Sequence, residues 1–143
     1  MNAISLQWQP AGAFHHVGFV VRSISSSAVS FAEILQADWD HQVFHDPNQC
    51  VRVTFLKSRK EGDPLWELVE PAGDDSPVKS FAAKGGGLHH VCYEVDDLKA
   101  ALEEARARGA IITREPLPAV AFGGRRIAWI YTKHRLLIEY LER

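Results

Sequence analysis

Two His-His pairs, His15-His16 and His89-His90, and two glutamates set in apolar runs are the residues of this chain best equipped for chemistry. Glu67 stands in Trp66-Glu67-Leu68-Val69, and Glu139 in Leu137-Ile138-Glu139-Tyr140-Leu141. A carboxylate inside an otherwise apolar strand is costly, because its buried charge must find a partner or give up its ionisation. Two neutral imidazoles and two carboxylates can together surround one divalent cation and leave positions open for water or substrate. The mixed nitrogen and oxygen set of His16, Glu67, His90 and Glu139 suits nickel, cobalt, manganese, zinc or iron. Taken singly, each residue reads as a satisfied histidine or as a glutamate facing an arginine. Their recurrence as a set favours the metal.

That recurrence comes from an internal repeat. Phe14-His15-His16-Val17-Gly18-Phe19-Val20-Val21 matches Leu88-His89-His90-Val91-Cys92-Tyr93-Glu94-Val95, and the segment around Glu67 matches the one around Glu139. The His16 and His90 segments alternate like half-buried strands. Successive strand residues point to opposite faces, so Val17, Phe19 and Val21 pack under a helix while His16, Gly18 and Val20 face away. The second copy sends Val91, Tyr93 and Val95 inward and His90, Cys92 and Glu94 outward. By the same phase Trp66, Leu68, Ile138 and Tyr140 are helix-packed, and Glu67 and Glu139 share the histidine face. His15 and His89 fall on the helix-packing phase and are expected to be structural or to brace the ligands.

Each strand leads into a helical pattern: Ile24, Ala28 and Phe31 in the first half, Leu98, Leu102 and Ala105 in the second. The first helix is expected to open within Ser25 to Ser27 and fade near Ala37; the second opens at Asp97 and stops near Gly109. Three extended runs follow each: Trp39 to His45, Val51 to Lys57 and Leu65 to Glu70, then Ala110 to Thr113, Arg126 to Tyr131 and Leu136 to Leu141. Between the halves, Ser76-Pro77 caps a short helix running to about Lys84, stopped by Gly85-Gly86-Gly87. The expected fold class is α+β, with two tandem βαβββ modules, residues 12–71 and 87–143, joined by a linker and short helix at 72–86 in a single domain over 1–143.

Composition narrows the partners. The chain has 143 residues, 46% of them hydrophobic, and a formal net charge of -2. Nothing in that balance attracts nucleic acid or an anionic membrane. The opening residues lack a basic, then long apolar, leader, and no run approaches the roughly 18 apolar residues of a membrane span. A cytoplasmic location is the expectation. Cys50 and Cys92 form no CxxC pair and read as reduced thiols. His41 and His45 share the face of one expected strand and read as exposed, whereas Trp8, Trp39, Trp66 and Trp129 read as core and cleft wall. Gly123-Gly124-Arg125-Arg126 is either a hairpin turn or a means of bringing two guanidinium groups to phosphates.

Gly87-Leu88-His89-His90-Val91 leading to Glu94-Val95-Asp96-Asp97-Leu98, the helix after Asp75-Ser76-Pro77, Glu67-Leu68-Val69-Glu70-Pro71 and Leu137-Ile138-Glu139 resemble the vicinal oxygen chelate superfamily, which includes glyoxalases, bleomycin resistance proteins and dioxygenases. Within it they are most similar to methylmalonyl-CoA epimerases. The resemblance implies a curved mixed sheet around a metal-binding cleft, a homodimer, and His16, Glu67, His90 and Glu139 at the four ligand positions. It further implies an isomerase or lyase that moves a proton next to a carbonyl or thioester, with an acyl-CoA thioester as small-molecule substrate and Glu139 and Glu67 as the catalytic carboxylates. Alternatives are a glyoxalase I-type lactoylglutathione lyase and a non-catalytic antibiotic-binding protein of the same fold. Two departures stand out. Val53 occupies the best match to a second acid/base carboxylate, with none in Val51 to Leu56, and the loop Tyr131-Thr132-Lys133-His134-Arg135 lacks a His-Pro pair. Glu94 shares the phase of His90 and is a substitute proton carrier or a solvated strand end.

Overall fold

Alternating polar and apolar residues dominate this chain, and strands follow from them. A computed structural model describes residues 12–143; the opening segment and Trp8 lie outside the described residues. The first half comprises β1 (Gly12–Val20), α1 (Ile24–Leu35), β2 (Ala37–Trp39), β3 (Phe44–Asp46), β4 (Val51–Ser58) and β5 (Leu65–Pro71). After α2 (Lys79–Ala83), the second half repeats the plan with β6 (Gly87–Val95), α3 (Leu98–Ala107), β7 (Ile111–Pro118), β8 (Arg126–Tyr131) and β9 (Leu137–Glu142). All nine strands join one mixed sheet in the order β2-β4-β5-β1-β6-β9-β8-β7, with β3 also on β4. Each module pairs its first and last strands in parallel, β1 with β5 and β6 with β9. β1 and β6 run antiparallel at the centre, so they stitch the modules about a pseudo-two-fold axis.

The helices lie on one face, as the strand phase requires. Val21, Leu56 and Leu68 pack against Ile24 and Ala28 of α1; Val95, Ala128 and Ile130 pack against Leu98, Ala101 and Leu102 of α3. The opposite face holds two smaller apolar clusters, one around Val20, Val53 and Val69 and one around Cys92, Ile127 and Leu141.

Local chemistry moves several boundaries. The α1 helix opens at Ile24, earlier than expected, because the Ser23 hydroxyl accepts from the Ser26 N–H at 3.3 Å. The α3 cap is Asp97, as read, accepting from Ala100 N–H at 2.9 Å. Ser76 caps the turn before α2 rather than the helix itself, which starts only at Lys79. The single run expected over Trp39 to His45 is broken into β2 and β3. There Asp40 accepts from the Gln42 N–H in a side-chain turn, His41 takes a left-handed φ of 66°, and the Thr54 hydroxyl bonds the Gln42 carbonyl. His41 and His45 therefore do not share a strand face, although both are exposed. β7 runs on past Thr113 to Pro118. Among the described residues no helix is long and apolar enough to cross a membrane, and Cys50 and Cys92 are both free.

Candidate metal centre and active site

Directly opposed strand residues share a face, so the register of this sheet builds two transverse rows beneath one cavity. The first runs His16, Cys92, Glu139, Trp129 and Arg114 across β1, β6, β9, β8 and β7. The second runs His90, Gly18, Glu67 and Phe55 across β6, β1, β5 and β4. The pseudo-two-fold relates them: histidine, small residue, glutamate, aromatic. Glycine at position 18 is a steric requirement, because a Cβ there would sit 2.0 Å from Cε1 of His90.

The rows bring His16, Glu67, His90 and Glu139 together, and all four are at most 4% exposed. The two Nε2 atoms face each other at 3.2 Å. Glu67 Oε1 lies 3.6 Å from Nε2 of His16 and 3.2 Å from that of His90; Glu139 Oε1 lies 3.3 Å from His16 Nε2. No donor is aligned on Glu139 Oε1, which is left buried without a hydrogen bond. Such an orphan costs about 1–3 kcal/mol or more unless something absent from the protein itself satisfies it.

His15 and His89 are not on the helix-packing phase. The β1–β6 register slips between Phe14 and His16 and again between Gly18 and Phe19, so the first histidine of each pair is the extra residue of a β-bulge. The bulge swings its ring beside its neighbour's: His15 Nδ1 is 2.8 Å from His16 Nδ1, and His89 Nδ1 is 2.9 Å from His90 Nδ1. A hydrogen bond at Nδ1 leaves the Nε2 lone pair free to face a cation, the usual way an outer group sets a ligating tautomer.

Burial sets the charge states. It pushes His16 and His90 down to about 3, in His16 against the opposing pull of Glu67. It raises the Glu67 carboxyl, partly offset by His16, and holds Glu139 well above the ordinary range, with the charge of Glu67 adding to the effect. The Cys92 thiol beside Glu139 is raised in the same way. The histidines are thus neutral donors, and the carboxyls are basic groups lacking a positive partner. Converging Nε2 atoms and two carboxylates, one of them with an orphaned oxygen, fit a divalent cation.

Above the cluster lies a cavity of about 320 Å³, with Glu67, His90 and Glu139 at its base and Val53, Val69, Val78, Phe122, Trp129 and Leu137 in its walls. Phe122 stacks on His16 at 6.0 Å, and Trp129 meets His90 edge-on at 4.6 Å. The turn after β3 reaches across to the other module. Asp46, which lines the same cavity, accepts from the N–H groups of Asn48, Gln49 and Val120 and from Gln49 Nε2. Gln49 Oε1 in turn accepts from Trp129 Nε1 at 3.3 Å. Val53 is a cavity wall, and no carboxylate lies on β4. Asp46, the Cα partner of Val51 across the strand pair, is the carboxylate that the sequence reading missed; its four accepted bonds make it a structural anchor rather than a free base. Glu94 is turned to Arg125 at 3.1 Å, and Arg126 chelates Glu142 at 2.7 and 2.8 Å, so both arginines of the Gly123-Gly124 turn face carboxylates of the protein.

Residues 15–129 match the model of the Glyoxalase/Bleomycin resistance protein/Dioxygenase superfamily, and the chain belongs to that superfamily. Its named relatives are enzymes. An ethylmalonyl-CoA/methylmalonyl-CoA epimerase of Cereibacter sphaeroides is 28% identical over 124 residues, 85% of this chain and 90% of that one. The mitochondrial methylmalonyl-CoA epimerase of Homo sapiens is 33% identical over 99 residues, 68% of this chain but only 54% of its own length. The crystal structure of methylmalonyl-CoA epimerase from Mycobacterium tuberculosis superposes with a TM-score of 0.79, covering 95% of this chain and 93% of that one at 23% identity, which establishes the shared fold.

Proposed function

We propose that this chain is a metal-dependent epimerase that removes and returns the proton at C2 of a 2-methyl-branched acyl-CoA, with methylmalonyl-CoA as substrate. One observation carries the reading: four buried donors cluster beneath a cavity that three of them line, and one of these, Glu139 Oε1, has no partner of its own. The epimerase relatives supply the substrate class. His16 and His90 would hold the cation through Nε2, and Glu67 and Glu139 through their carboxylates. A divalent ion in that position acts as a Lewis acid, polarising the thioester oxygen and stabilising the charge that develops on it.

The remaining steps belong to the protein. Glu139 accepts the C2 proton on loosening its hold on the cation, since burial makes its carboxylate a stronger base than a solvated one. Glu67 occupies the pseudo-symmetric position in the other row, and its carboxyl, raised by burial, would in its protonated form give a proton to the opposite face of the carbon, taking up a proton again in the reverse direction. Phe122, Trp129 and the valines exclude water from the transfer. The same proposal includes a homodimer, supported by the exposure of Leu88, Ile111 and Phe14 and checked by sedimentation equilibrium. The function is tested by incubating metal-loaded protein with methylmalonyl-CoA in heavy water. Deuterium entering C2 with interconversion of the epimers is expected. Absence of exchange, with thioester formation from a hemithioacetal instead, overturns the epimerase in favour of a lyase.

A further inference from the structure

The cavity carries the carboxylates of Asp46, Glu67 and Glu139, yet its proposed substrate is an anion at both ends: a carboxylate on the acyl unit and phosphates on the coenzyme. Among the described residues lining it, Arg114 is the only lysine or arginine. The arginines that the sequence offered for this task, Arg125 and Arg126, pair with Glu94 and Glu142 and do not line the cavity. Arg114 has no such partner among the described residues. Its one hydrogen bond runs from Nη2 to the Asn48 carbonyl at 2.7 Å, leaving Nη1 and Nε of the fork to other acceptors. It ends the row that starts at His16 and passes through Glu139 and Trp129, and its Cα opposes that of Trp129. Two strand spacings place its backbone roughly 10 Å along the sheet from that of Glu139.

We infer that Arg114 is the anion-recognition residue of the site, gripping an oxyanion of the acyl thioester while C2 rests at Glu139. The inference rests on the acyl-CoA reading above and assigns its specificity to one side chain. The guanidinium offsets repulsion from the three carboxylates and takes the anion in its planar fork.

Four probes test this by calorimetry on the metal-loaded full chain: coenzyme A, propionyl-CoA, methylmalonyl-CoA and methylmalonyl-pantetheine. Wild type is compared with Arg114→Met and Arg114→Lys. The expected result is that Arg114→Met weakens methylmalonyl-CoA by roughly tenfold to a hundredfold, the range for losing a charge-assisted bond, and that Arg114→Lys recovers part of the loss. If methylmalonyl-pantetheine weakens equally and propionyl-CoA does not, the acyl carboxylate is the bound oxyanion. If coenzyme A and propionyl-CoA weaken and the pantetheine ester does not, it is a coenzyme phosphate. Equal weakening of all four overturns the assignment, because it marks an arginine that merely holds the 46–50 turn; unchanged affinities overturn it too. Wild-type binding of these probes without proton exchange overturns the epimerase reading alone, whereas exchange that survives with unchanged affinities in Arg114→Met overturns only the role of Arg114.

Discussion

The proposed function asks Glu139 both to neutralise a cation and to carry a proton, and its surroundings suit one carboxylate to both ends. Burial raises its basicity, and no donor in the protein blunts Oε1. Replacement by glutamine keeps the shape and removes the base. Glu139→Gln is therefore expected to slow deuterium exchange by roughly 10²- to 10⁴-fold, the usual contribution of a positioned general base, with the far-UV spectrum unchanged. Exchange within tenfold of wild type would remove Glu139 from the proton path. Protonation also sets the pH dependence of metal uptake. His16 and His90, lowered to about 3, are already neutral throughout the range above pH 5 and release nothing on binding. Glu139 and Glu67, both raised, must give up the protons that burial makes them retain. Metal affinity should thus increase as pH rises, and titration at successive pH values in buffers of different ionisation heat should show proton release that grows as the pH falls. A heat independent of buffer would mean that the carboxylates are ionised before the metal arrives.

At the scale of the element, the site depends on how β1 and β6 pair. The register puts Gly18 under the His90 ring, and Gly18→Ala forces a methyl against imidazole atoms held on the other side by His89. The expected cost is about 1–3 kcal/mol of stability, the usual range for overpacking, read as a lower urea midpoint, together with loss of bound metal. A variant that binds metal as wild type does would show that the ring relaxes freely. This scale also shows what the sequence made legible. The four candidate ligands were visible because period-2 alternation fixes faces and the repeat tied His16 to His90 and Glu67 to Glu139. The β-bulges were not: a bulge shifts phase by one residue, and nothing in His-His announces which member is the extra one. Arg114 escaped because the run read over Ala110 to Thr113 stopped one residue short and gave it no face, and Asp46 because its partners Val120 and Gln49 are set by tertiary contact. The split of β2 from β3 was hidden in the same way, since the Thr54 hydroxyl that holds Gln42 comes from another strand.

For the whole molecule, the central β1–β6 pair makes the candidate metal site a junction between modules rather than a property of either. Each module contributes one histidine and one glutamate, each histidine stands on the strand that pairs with the other module, and the Asp46–Val120 and Gln49–Trp129 bonds join the modules again. With one continuous sheet there is no boundary at which half of the fold can be lost alone, so chemical unfolding should be a single transition in which far-UV and tryptophan signals coincide. A cation binding only the assembled junction should shift that transition as a unit. At a free concentration about a hundred times its dissociation constant it contributes about 2.7 kcal/mol, which for a chain of this size raises the melting temperature by about 10 °C. Removal with a chelator should therefore lower the melting temperature by that amount while leaving one transition. Two separated transitions after metal removal would show instead that the cation, and not the shared sheet, is what makes the modules one cooperative body.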